Sequence, residues 1–453
     1  MMTNLHFAHA LLPDGWAANV RIDVRADGTI AAIAAGVPAA DGEFHGTVAV
    51  PGLPNLHSHA FQRGMAGLAE RRSQTDDSFW TWRQVMYGFL AALAPDHVAA
   101  IAAEAYVEMV EAGFTAVAEF HYLHHRPDGR PYDALAEMAG AIAAAAAESG
   151  IGLTLLPVLY ANGGFGGQSS TEGQRRFVNG PDRYARLVED ARRQVAALPD
   201  AVVGIAPHSL RAVTADSLSA ALTTQPAGPV HIHVAEQQKE VDDCLAWSGR
   251  RPVDWLMDHA PVDARWCLVH ATHVTEGEVA RMARSRAVVG LCPITEANLG
   301  DGLFPLPALL AAGGPIGVGS DSNVRIDAAE ELRLLEYGQR LQAERRNIVG
   351  PPGGSTGRAL FDACAAGGAQ ALGRAIGVLA PGRRADIVAL NPDHPVLAAK
   401  SGDGWLDGWI FAGDPRCVAD VWIGGRRVVS GGRHLARDPV RLRFARTMAA
   451  LTA

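Results

Sequence analysis

The feature that most constrains the fold of this chain is a regular alternation of two kinds of segment along its middle. Eight short apolar or β-branched runs alternate with segments that are rich in Ala, Leu and charged residues and have helical spacing. The eight runs are residues 48–57, 115–122, 152–160, 202–210, 229–236, 266–274, 287–295 and 315–322. Alternating strands and helices form βαβ units, and eight such units fit a closed barrel of parallel strands. The sequence therefore predicts an α/β protein built on a (β/α)8 TIM barrel.

The two ends of the chain have a different pattern. Residues 1–50 and 378–453 contain short strand-like runs separated by Gly and Asp turns, without helical spacing until the C-terminal tail. A chain of 453 residues is also long for a single core. We therefore predict a small β-sandwich domain built from both termini (1–50 and 378–453), with the barrel domain (51–377) inserted between its two parts.

Composition and charge argue against several classes of partner. The chain has 40 Lys+Arg and 48 Asp+Glu, a formal net charge of −8, and no long basic run. We therefore expect it to bind neither nucleic acid nor an anionic membrane surface. The five cysteines are scattered without a CxxC pair, and no secretion signal or membrane span is visible, so we expect a reduced, cytoplasmic protein.

Polar residues lie at the end of nearly every predicted strand. In a barrel the carboxyl ends of all eight strands meet at one mouth, where side chains that are far apart in sequence become neighbours. The polar residues at these ends are His57, His59, His121, Tyr122, Tyr160, His208, Arg211, His233, Glu236, His270, His273 and Asp321. We therefore expect an active site at this mouth.

Four of these residues have the side chains of a metal site. His57 and His59 are two residues apart, so on a strand they point to the same face. Such a pair alone is more often a packing feature, but His233 and Asp321 at later strand ends complete a shell of three nitrogens and one carboxylate. Zinc and iron(II) both accept these ligands, and a catalytic metal lowers the pKa of a water molecule from about 15.7 to about 7.

Two residues near this shell are candidates for proton transfer. A neutral amine leaves well only after protonation, so an acid or a histidine is needed beside the metal. Glu236 follows His233 by three residues, and His270 lies near the end of the next predicted strand segment. For Glu236 a structural interpretation also exists, because acidic residues favour the first turn of a helix.

Together these motifs resemble the amidohydrolase superfamily, in its mononuclear deaminase branch. They are an HxH after the first strand, a histidine with HxxE at the fifth, a histidine at the sixth and an aspartate at the eighth. The resemblance implies a barrel of the amidohydrolase type with one divalent metal ion. Zinc is the expected ion, with iron(II) as the alternative, and the implied ligands are His57, His59, His233 and Asp321.

The lysine content distinguishes between two branches of that superfamily. The dinuclear branch usually bridges its metal ions through a carboxylated lysine at the fourth strand. This chain has only Lys239 and Lys400, and both follow His233 in the fifth predicted strand. A lysine-bridged pair of metal ions is therefore excluded.

Longer blocks of the chain resemble one family in this branch, the N-formimino-L-glutamate deiminases. The blocks span most of the predicted barrel and read NLHSHAFQRGMAGLAERR, EFHYLHH, APHSLRAV, HIHVAEQQKEVDDCLAWSGRRPVDWL and GSDSNVRIDAAEELRLLEYGQR. The resemblance implies hydrolysis of N-formimino-L-glutamate to N-formyl-L-glutamate and ammonia, a step of histidine degradation. Such a substrate is a small dicarboxylate with an amidine carbon as its electrophile.

The same resemblance implies roles for individual residues. Glu236, His270 and Asp321 are the expected catalytic residues, and the expected substrate contacts are Gln62, Arg83, Tyr122, His208 and Arg211. The planar guanidinium of arginine suits carboxylates well. Structural interpretations exist beside these roles: a solvated helix arginine for Arg83, a core histidine for His208 and barrel packing for Tyr122. The residues expected to be structural or to line the rim are Arg63, His121, His124, His125, His231 and His273.

Two alternative functions stay open at this point. Another mononuclear deaminase of the same fold acts on guanine or a similar amino-heterocycle, and its pocket needs a stacking aromatic in place of a carboxylate clamp. A barrel without catalysis is the second alternative, although such members typically lose ligands that are present here. Barrel enzymes of this type commonly form dimers, so we also expect a homodimer.

Overall fold

The strands of the chain fall into two groups in the computed structural model, which describes residues 3–73 and 76–452. The strands are β1 (Thr3–Leu12), β2 (Gly15–Val24), β3 (Ile30–Ala34), β4 (Phe44–Pro51), β5 (Leu53–Ser58), β6 (Phe114–His121), β7 (Gly152–Leu159), β8 (Val202–Val203), β9 (Ala206–Pro207), β10 (Val230–Val234), β11 (Trp266–His270), β12 (Val288–Leu291), β13 (Ile316–Val318), β14 (Ile387–Leu390), β15 (Val418–Ile423), β16 (Arg426–Ser430) and β17 (Arg433–His434). Strands β5 to β13 build the barrel, and the others build a second sheet.

Helices follow most of the barrel strands, as the alternating pattern predicted. They are α1 (Phe79–Leu90), α2 (Pro95–Glu111), α3 (Glu137–Ser149), α4 (Pro181–Val195), α5 (Ala215–Thr224), α6 (Gln238–Ser248), α7 (Pro252–His259), α8 (Glu276–Ser285), α9 (Pro293–Leu299), α10 (Leu306–Ala311), α11 (Ala328–Ala343), α12 (Thr356–Leu372), α13 (Gly404–Ala412) and α14 (Arg437–Thr452). Among the described residues, no helix combines the length and the apolar character that crossing a membrane requires.

The barrel consists of two parallel half-sheets that close on each other. One contains β5 to β9 and the other β10 to β13. Isolated backbone bridges join the two half-sheets at both of their edges. At one edge Ile205 pairs with Val230 and Ser209 with His233, and at the other Ser58 pairs with Asp321. This closed arrangement confirms the predicted (β/α)8 barrel.

Two of the eight predicted strands are interrupted. Residues 48–57 divide between β4, which belongs to the second sheet, and β5 of the barrel. Gly52 lies between the two strands. A side chain at this position would clash with Thr115, since its Cβ would lie 2.2 Å from the threonine side chain. The fourth predicted strand is reduced to the short pieces β8 and β9. The number and order of the barrel strands were therefore predicted better than their lengths.

Strands from both termini form one eight-stranded sheet in the order β17-β16-β15-β14-β4-β1-β2-β3. All neighbours are antiparallel except β1 and β4. Thr29, just before the edge strand β3, pairs with Arg384, just before β14, which shows that the sheet curls. The inner face of the curled sheet buries residues such as Phe7, Ile22 and Trp422. Its other face packs on the barrel core. The chain termini thus form the small β domain that the sequence predicted.

The C-terminal helix α14 leaves this sheet and lies against helix α2. Arg441 forms an ion pair of 2.8 Å with Glu104, and Val440 is buried. The predicted domain limits, 1–50 with 378–453 and 51–377, stay predictions.

Candidate metal centre and active site

Three histidines and one aspartate converge at the mouth of the barrel. His57 lies in β5 and His59 directly follows it, His233 lies in β10, and Asp321 follows β13. The Nε2 atom of His57 is 3.2 Å from that of His59 and 3.1 Å from that of His233. Asp321 Oδ1 lies 3.4 and 3.3 Å from the Nε2 atoms of His57 and His59. All four residues are buried.

These separations fit a tetrahedral metal site. Nitrogen and oxygen ligands with metal bonds of about 2.0–2.1 Å lie about 3.3 Å apart in a tetrahedron around zinc. Two of the rings are also fixed in the correct orientation, since Nδ1 of His59 donates to Phe120 O at 2.9 Å and Nδ1 of His233 donates to His208 O at 3.1 Å. Their Nε2 lone pairs therefore face the centre.

Burial keeps these histidines neutral, as metal binding requires. It lowers the pKa of His57 to about 3 and also lowers the pKa of His59 and His233. Burial alone would raise the pKa of Asp321, but the hydrogen bond from His57 and the positive charge on nearby His270 lower it below its ordinary value. Neutral imidazoles beside a carboxylate are the ligand forms that a divalent metal binds.

A buried hydrogen-bond network fixes the backbone of these ligands. Asp321 N donates to His57 O, and His59 N donates to Asp321 O, both at 2.9 Å. The Nδ2 group of Asn323 donates to the carbonyls of His59 and Asp321 at 3.1 and 3.0 Å. Asp321 has a φ of 44°, a backbone conformation that costs energy for a residue with a side chain. The network therefore holds a strained backbone at the site.

His270 lies beside this centre and is surrounded by carboxylates. Its Nδ1 donates to Glu296 Oε1 at 3.1 Å, and its Nε2 lies 3.8 Å from Glu236 Oε1 and 3.7 Å from Asp321 Oδ2. Burial lowers the pKa of His270, but Glu236, Glu296 and Asp321 raise it to about 10. Burial also raises the pKa of Glu236 above its ordinary value. Both groups can therefore hold a proton near neutral pH.

The cavity above the centre is lined by polar and aromatic side chains. The Nε2 group of Gln62 donates to Tyr122 Oη at 2.8 Å, whereas its buried Oε1 has no hydrogen-bond partner. The Tyr122 hydroxyl donates to Met86 Sδ at 3.1 Å, which ties helix α1 to the cavity. His208 packs edge-on against Tyr160, with ring centres 4.7 Å apart. The cavity thus has a free acceptor close to the metal cluster.

Two arginines lie on the wall of the same cavity. Arg211 is buried, and its Nη2 lies 3.9 Å from Glu236 and 3.8 Å from Glu240, beyond hydrogen-bond distance. Arg83 stacks on Trp80 with its guanidinium carbon 4.8 Å from the ring centre, and its buried Nε has no hydrogen-bond partner. Both guanidinium groups therefore have donors free for an anionic ligand.

The structure brings all of the predicted site residues together. The cavity is lined by Gln62, Arg83, Tyr122, His208, Arg211, Glu236 and His270 and by the metal-cluster members His59, His233 and Asp321, with His57 buried below them. Their individual roles stay predictions.

The family of the chain follows from its similarity to known proteins. A sequence profile of the amidohydrolase family matches residues 48–428. The chain belongs to the amidohydrolase family. A profile described as the N-terminal domain of formimidoylglutamate deiminase HutF matches residues 2–46.

This amidohydrolase has close relatives of known sequence and structure. Formimidoylglutamate deiminase of Pseudomonas aeruginosa is 54% identical over 439 residues, which cover 96% of this chain and 97% of the relative. The 8-oxoguanine deaminase of the same organism is 29% identical over 397 residues, which cover 85% of this chain and 83% of that relative. A crystal structure of an amidohydrolase from Brucella melitensis superposes with a TM-score of 0.96 at 54% identity, covering 100% of both chains. The family that the motifs predicted is thereby confirmed.

Sequence reasoning missed two buried acids of this amidohydrolase. Glu296 accepts a hydrogen bond from His270. The predicted strand segment 287–295 ends one residue before Glu296, so this acid was not among the residues predicted at the strand ends. Glu119 lies in the mostly apolar strand β6 and accepts hydrogen bonds from Ala60 N at 2.7 Å and from Tyr106 Oη at 3.1 Å. An acid inside an apolar strand was the available signal for Glu119.

Several polar residues outside the metal cluster have hydrogen-bond or ion-pair partners in the surrounding structure. His124 and His231 donate to the carbonyls of Val158 and Ala371 at 3.0 and 2.8 Å. Arg63 forms an ion pair of 2.7 Å with Glu108. These contacts fix loops and helices around the barrel.

Proposed function

We propose that this amidohydrolase hydrolyses N-formimino-L-glutamate to N-formyl-L-glutamate and ammonia, as a step of histidine degradation. The observation that carries the proposal is a single cavity with a metal-ligand cluster at its floor and two arginines with free donors on its wall. The substrate has a matching pair of groups, an amidine carbon at one end and two carboxylates at the other. The similarity to formimidoylglutamate deiminase of Pseudomonas aeruginosa supports the same assignment.

The proposed substrate contacts follow from the chemistry of the cavity wall. Arg211 and Arg83 bind the carboxylates, because a guanidinium offers parallel donors to a carboxylate. The unpaired Oε1 of Gln62 accepts a hydrogen bond from an amidine N–H. Tyr122 and His208 border the same space and position the chain of the substrate.

We propose one zinc ion as the cofactor, held by His57, His59, His233 and Asp321. When bound, the ion supplies a Lewis acid that activates a water molecule for attack on the amidine carbon. Metal analysis of the purified protein tests this assignment. One equivalent of zinc is the expected result, and one equivalent of iron in its place would contradict it.

Protons move through His270, Asp321 and Glu236 in this proposal. His270 and Asp321 accept a proton from the attacking water, since both border the metal cluster and Nε2 of His270 lies 3.7 Å from Asp321 Oδ2. Glu236 delivers protons to the imino nitrogen, since burial raises its pKa. A C–O bond forms and the C–N bond to the imino nitrogen breaks. Both protons of the water end on that nitrogen, which leaves as ammonia.

Product analysis tests the proposed reaction directly. Metal-loaded protein is incubated with N-formimino-L-glutamate, and we expect ammonia and N-formylglutamate in equal amounts. Formamide with glutamate as products would contradict the proposal. Guanine and 8-oxoguanine serve as comparison substrates, and a higher kcat/KM for either would favour the heterocycle alternative.

The cell compartment and the assembly belong to the same proposal. All five cysteines are free and buried, which agrees with a reducing, cytoplasmic compartment. We expect a homodimer, and light scattering of the purified protein measures the oligomeric state. The proposed partner is the dicarboxylate substrate, with neither nucleic acid nor membrane involved.

A further inference from the structure

Three donor groups at the floor of the active site lie together and include a thiol that the proposed reaction does not use. His270 ends β11, Cys292 directly follows β12, and Asp321 follows β13. These three strands are hydrogen-bonded neighbours in that order. All three residues are buried, and one ligand atom of each lies within 4.8 Å of the other two. The fold thus brings a nitrogen, a sulfur and an oxygen donor to one place.

The two oxygens of Asp321 face different donors. Oδ1 lies 3.4 and 3.3 Å from the Nε2 atoms of His57 and His59, whereas Oδ2 lies 3.7 Å from Nε2 of His270. A carboxylate in this position can donate one oxygen to each of two metal ions. The first cluster therefore stays complete when a second ion binds on the Oδ2 side.

His270 is already held in the orientation of a metal ligand. Its Nδ1 donates to Glu296 Oε1, and Glu296 also accepts from Cys292 N at 2.9 Å. Histidines that bind metals commonly donate their other ring N–H to a carboxylate in this way. Glu296 therefore links two of the three donor residues and leaves Nε2 of His270 free.

We propose that His270, Cys292 and Asp321 form a second, weaker site for zinc or a similarly soft divalent ion, and that occupation of this site inhibits the enzyme. Imidazole, thiolate and carboxylate are ligands that zinc accepts together. The site differs from a lysine-bridged pair of metal ions, because a thiolate takes the place of the carboxylated lysine. Metal binding here is independent of the proposed function, whereas the inhibition rests on it.

The chemistry of the donors explains why the second site is the weaker one. Binding breaks the Sγ–H bond of Cys292, and the proton passes to water. The first site offers four ligands, whereas the second offers three and shares Asp321 with the first. An ion on His270 then prevents this ring from accepting a proton during hydrolysis.

Cobalt(II) reports on the thiol directly. Protein that carries one equivalent of zinc is titrated with Co²⁺, and we expect a further equivalent to bind with the near-ultraviolet absorption of a cobalt–thiolate bond. Cys292→Ala should lose this band and the additional equivalent. Cys267→Ala is the matched control, because Cys267 is equally buried and lies outside the donor cluster. Absence of the band in the unaltered protein would overturn the proposal.

Zinc inhibition tests the second half of the proposal. Excess Zn²⁺ should inhibit hydrolysis by the unaltered protein and by Cys267→Ala, whereas Cys292→Ala should need at least about tenfold more zinc for half-inhibition. Cys292→Ser keeps the side-chain volume and replaces Cys292→Ala if the latter folds poorly. Equal inhibition of all variants would overturn the inhibitory role. If the protein does not hydrolyse formiminoglutamate at all, the cobalt band still decides whether the metal site exists.

Discussion

At the scale of single residues, burial sets the charge of the groups around the metal centre. It lowers the pKa of His57 to about 3, and it raises the pKa of Glu119 to about 8. His270 differs because three carboxylates outweigh burial and raise its pKa to about 10. The cluster histidines are thus neutral ligands, whereas His270 and Glu236 are suited to proton transfer.

Replacing Glu236 by Gln should abolish most of the turnover without affecting the metal. The amide keeps the shape of the side chain but cannot deliver a proton, so we expect kcat to fall by a factor of about 10² to 10⁴. Glu236 lies outside the ligand cluster, so the metal content should not change. Steady-state kinetics and metal analysis measure the two effects. The control is Glu276→Gln at an exposed position of α8, and full activity in Glu236→Gln would remove this residue from the mechanism.

Replacing Arg211 by Met should weaken substrate binding. A hydrogen bond to a charged group contributes about 1.5–3 kcal/mol, so we expect kcat/KM for formiminoglutamate to fall about 10- to 100-fold, mainly through KM. Methionine keeps a similar length and an apolar stem against Phe79 and Trp80. Arg193→Met on the exposed face of α4 is the matched control. An unchanged KM would argue for a substrate without a carboxylate near Arg211.

Replacing Glu119 by Gln should change how stability depends on pH. The folded state holds the Glu119 proton up to a pKa of about 8, whereas the unfolded chain releases it near 4.5. The unfolded state therefore binds fewer protons between these values, and the unaltered protein loses stability as the pH rises through this window. Glutamine stays neutral in both states and removes this contribution.

Denaturant unfolding at pH 6 and pH 9 measures this effect of Glu119. We expect Glu119→Gln to lose less free energy of unfolding over this range than the unaltered protein, by about 2 kcal/mol. Glu137→Gln at the exposed start of α3 is the control and should behave like the unaltered protein. Identical pH profiles for Glu119→Gln and the unaltered protein would show that Glu119 is ionised in the folded state.

At the scale of elements, helix α1 forms the cover of the cavity and carries Arg83 and Met86. A buried arginine fixes its C-terminal end. Arg176 donates to the carbonyl of Leu90, to Leu93 O at 2.7 Å and to His125 O at 2.9 Å. A cation is favourable at a helix C-terminus, where carbonyl groups lack partners. The position of Arg83 thus depends on Arg176.

Replacing Arg176 by Ala should loosen α1. The loss of three charged hydrogen bonds should destabilise the protein by about 3 kcal/mol, lower its melting temperature and raise KM more than it lowers kcat. Hydrogen exchange within residues 79–90 should become faster. The exposed neighbour Arg175 provides the control as Arg175→Ala. Unchanged exchange in α1 together with an unchanged KM would show that Arg176 does not support the cover.

At the scale of the whole molecule, the metal cluster connects the two half-sheets of the barrel. His57 belongs to the first half-sheet and His233 to the second, and Asp321 follows the last strand of the second. In the described part of the chain, the strand pairings that join the two halves are the isolated bridges of Ser58, Ile205 and Ser209. A metal ion held by these ligands therefore stabilises the closed barrel as well as its site.

Removing the metal should lower both activity and stability. Because a ligand that binds only the folded state stabilises it, the chelated protein should melt at a lower temperature than the metal-loaded one. Adding one equivalent of Zn²⁺ should restore both properties. Calorimetry and activity assays follow the two effects, with chelator already saturated with zinc as the control. An equal melting temperature with and without metal would show that the barrel closes independently of it.

The sequence by itself determined the barrel, the sheet from both termini and the residues that gather at the mouth. These follow from local patterns, because strand and helix periodicity and the identity of residues at strand ends are read within a few neighbouring positions. The tertiary structure decided what depends on distant contacts. Thr115 against Gly52 separates β4 from β5, and Glu296 orients His270. Such pairs are set by packing between strands, which a local pattern does not encode.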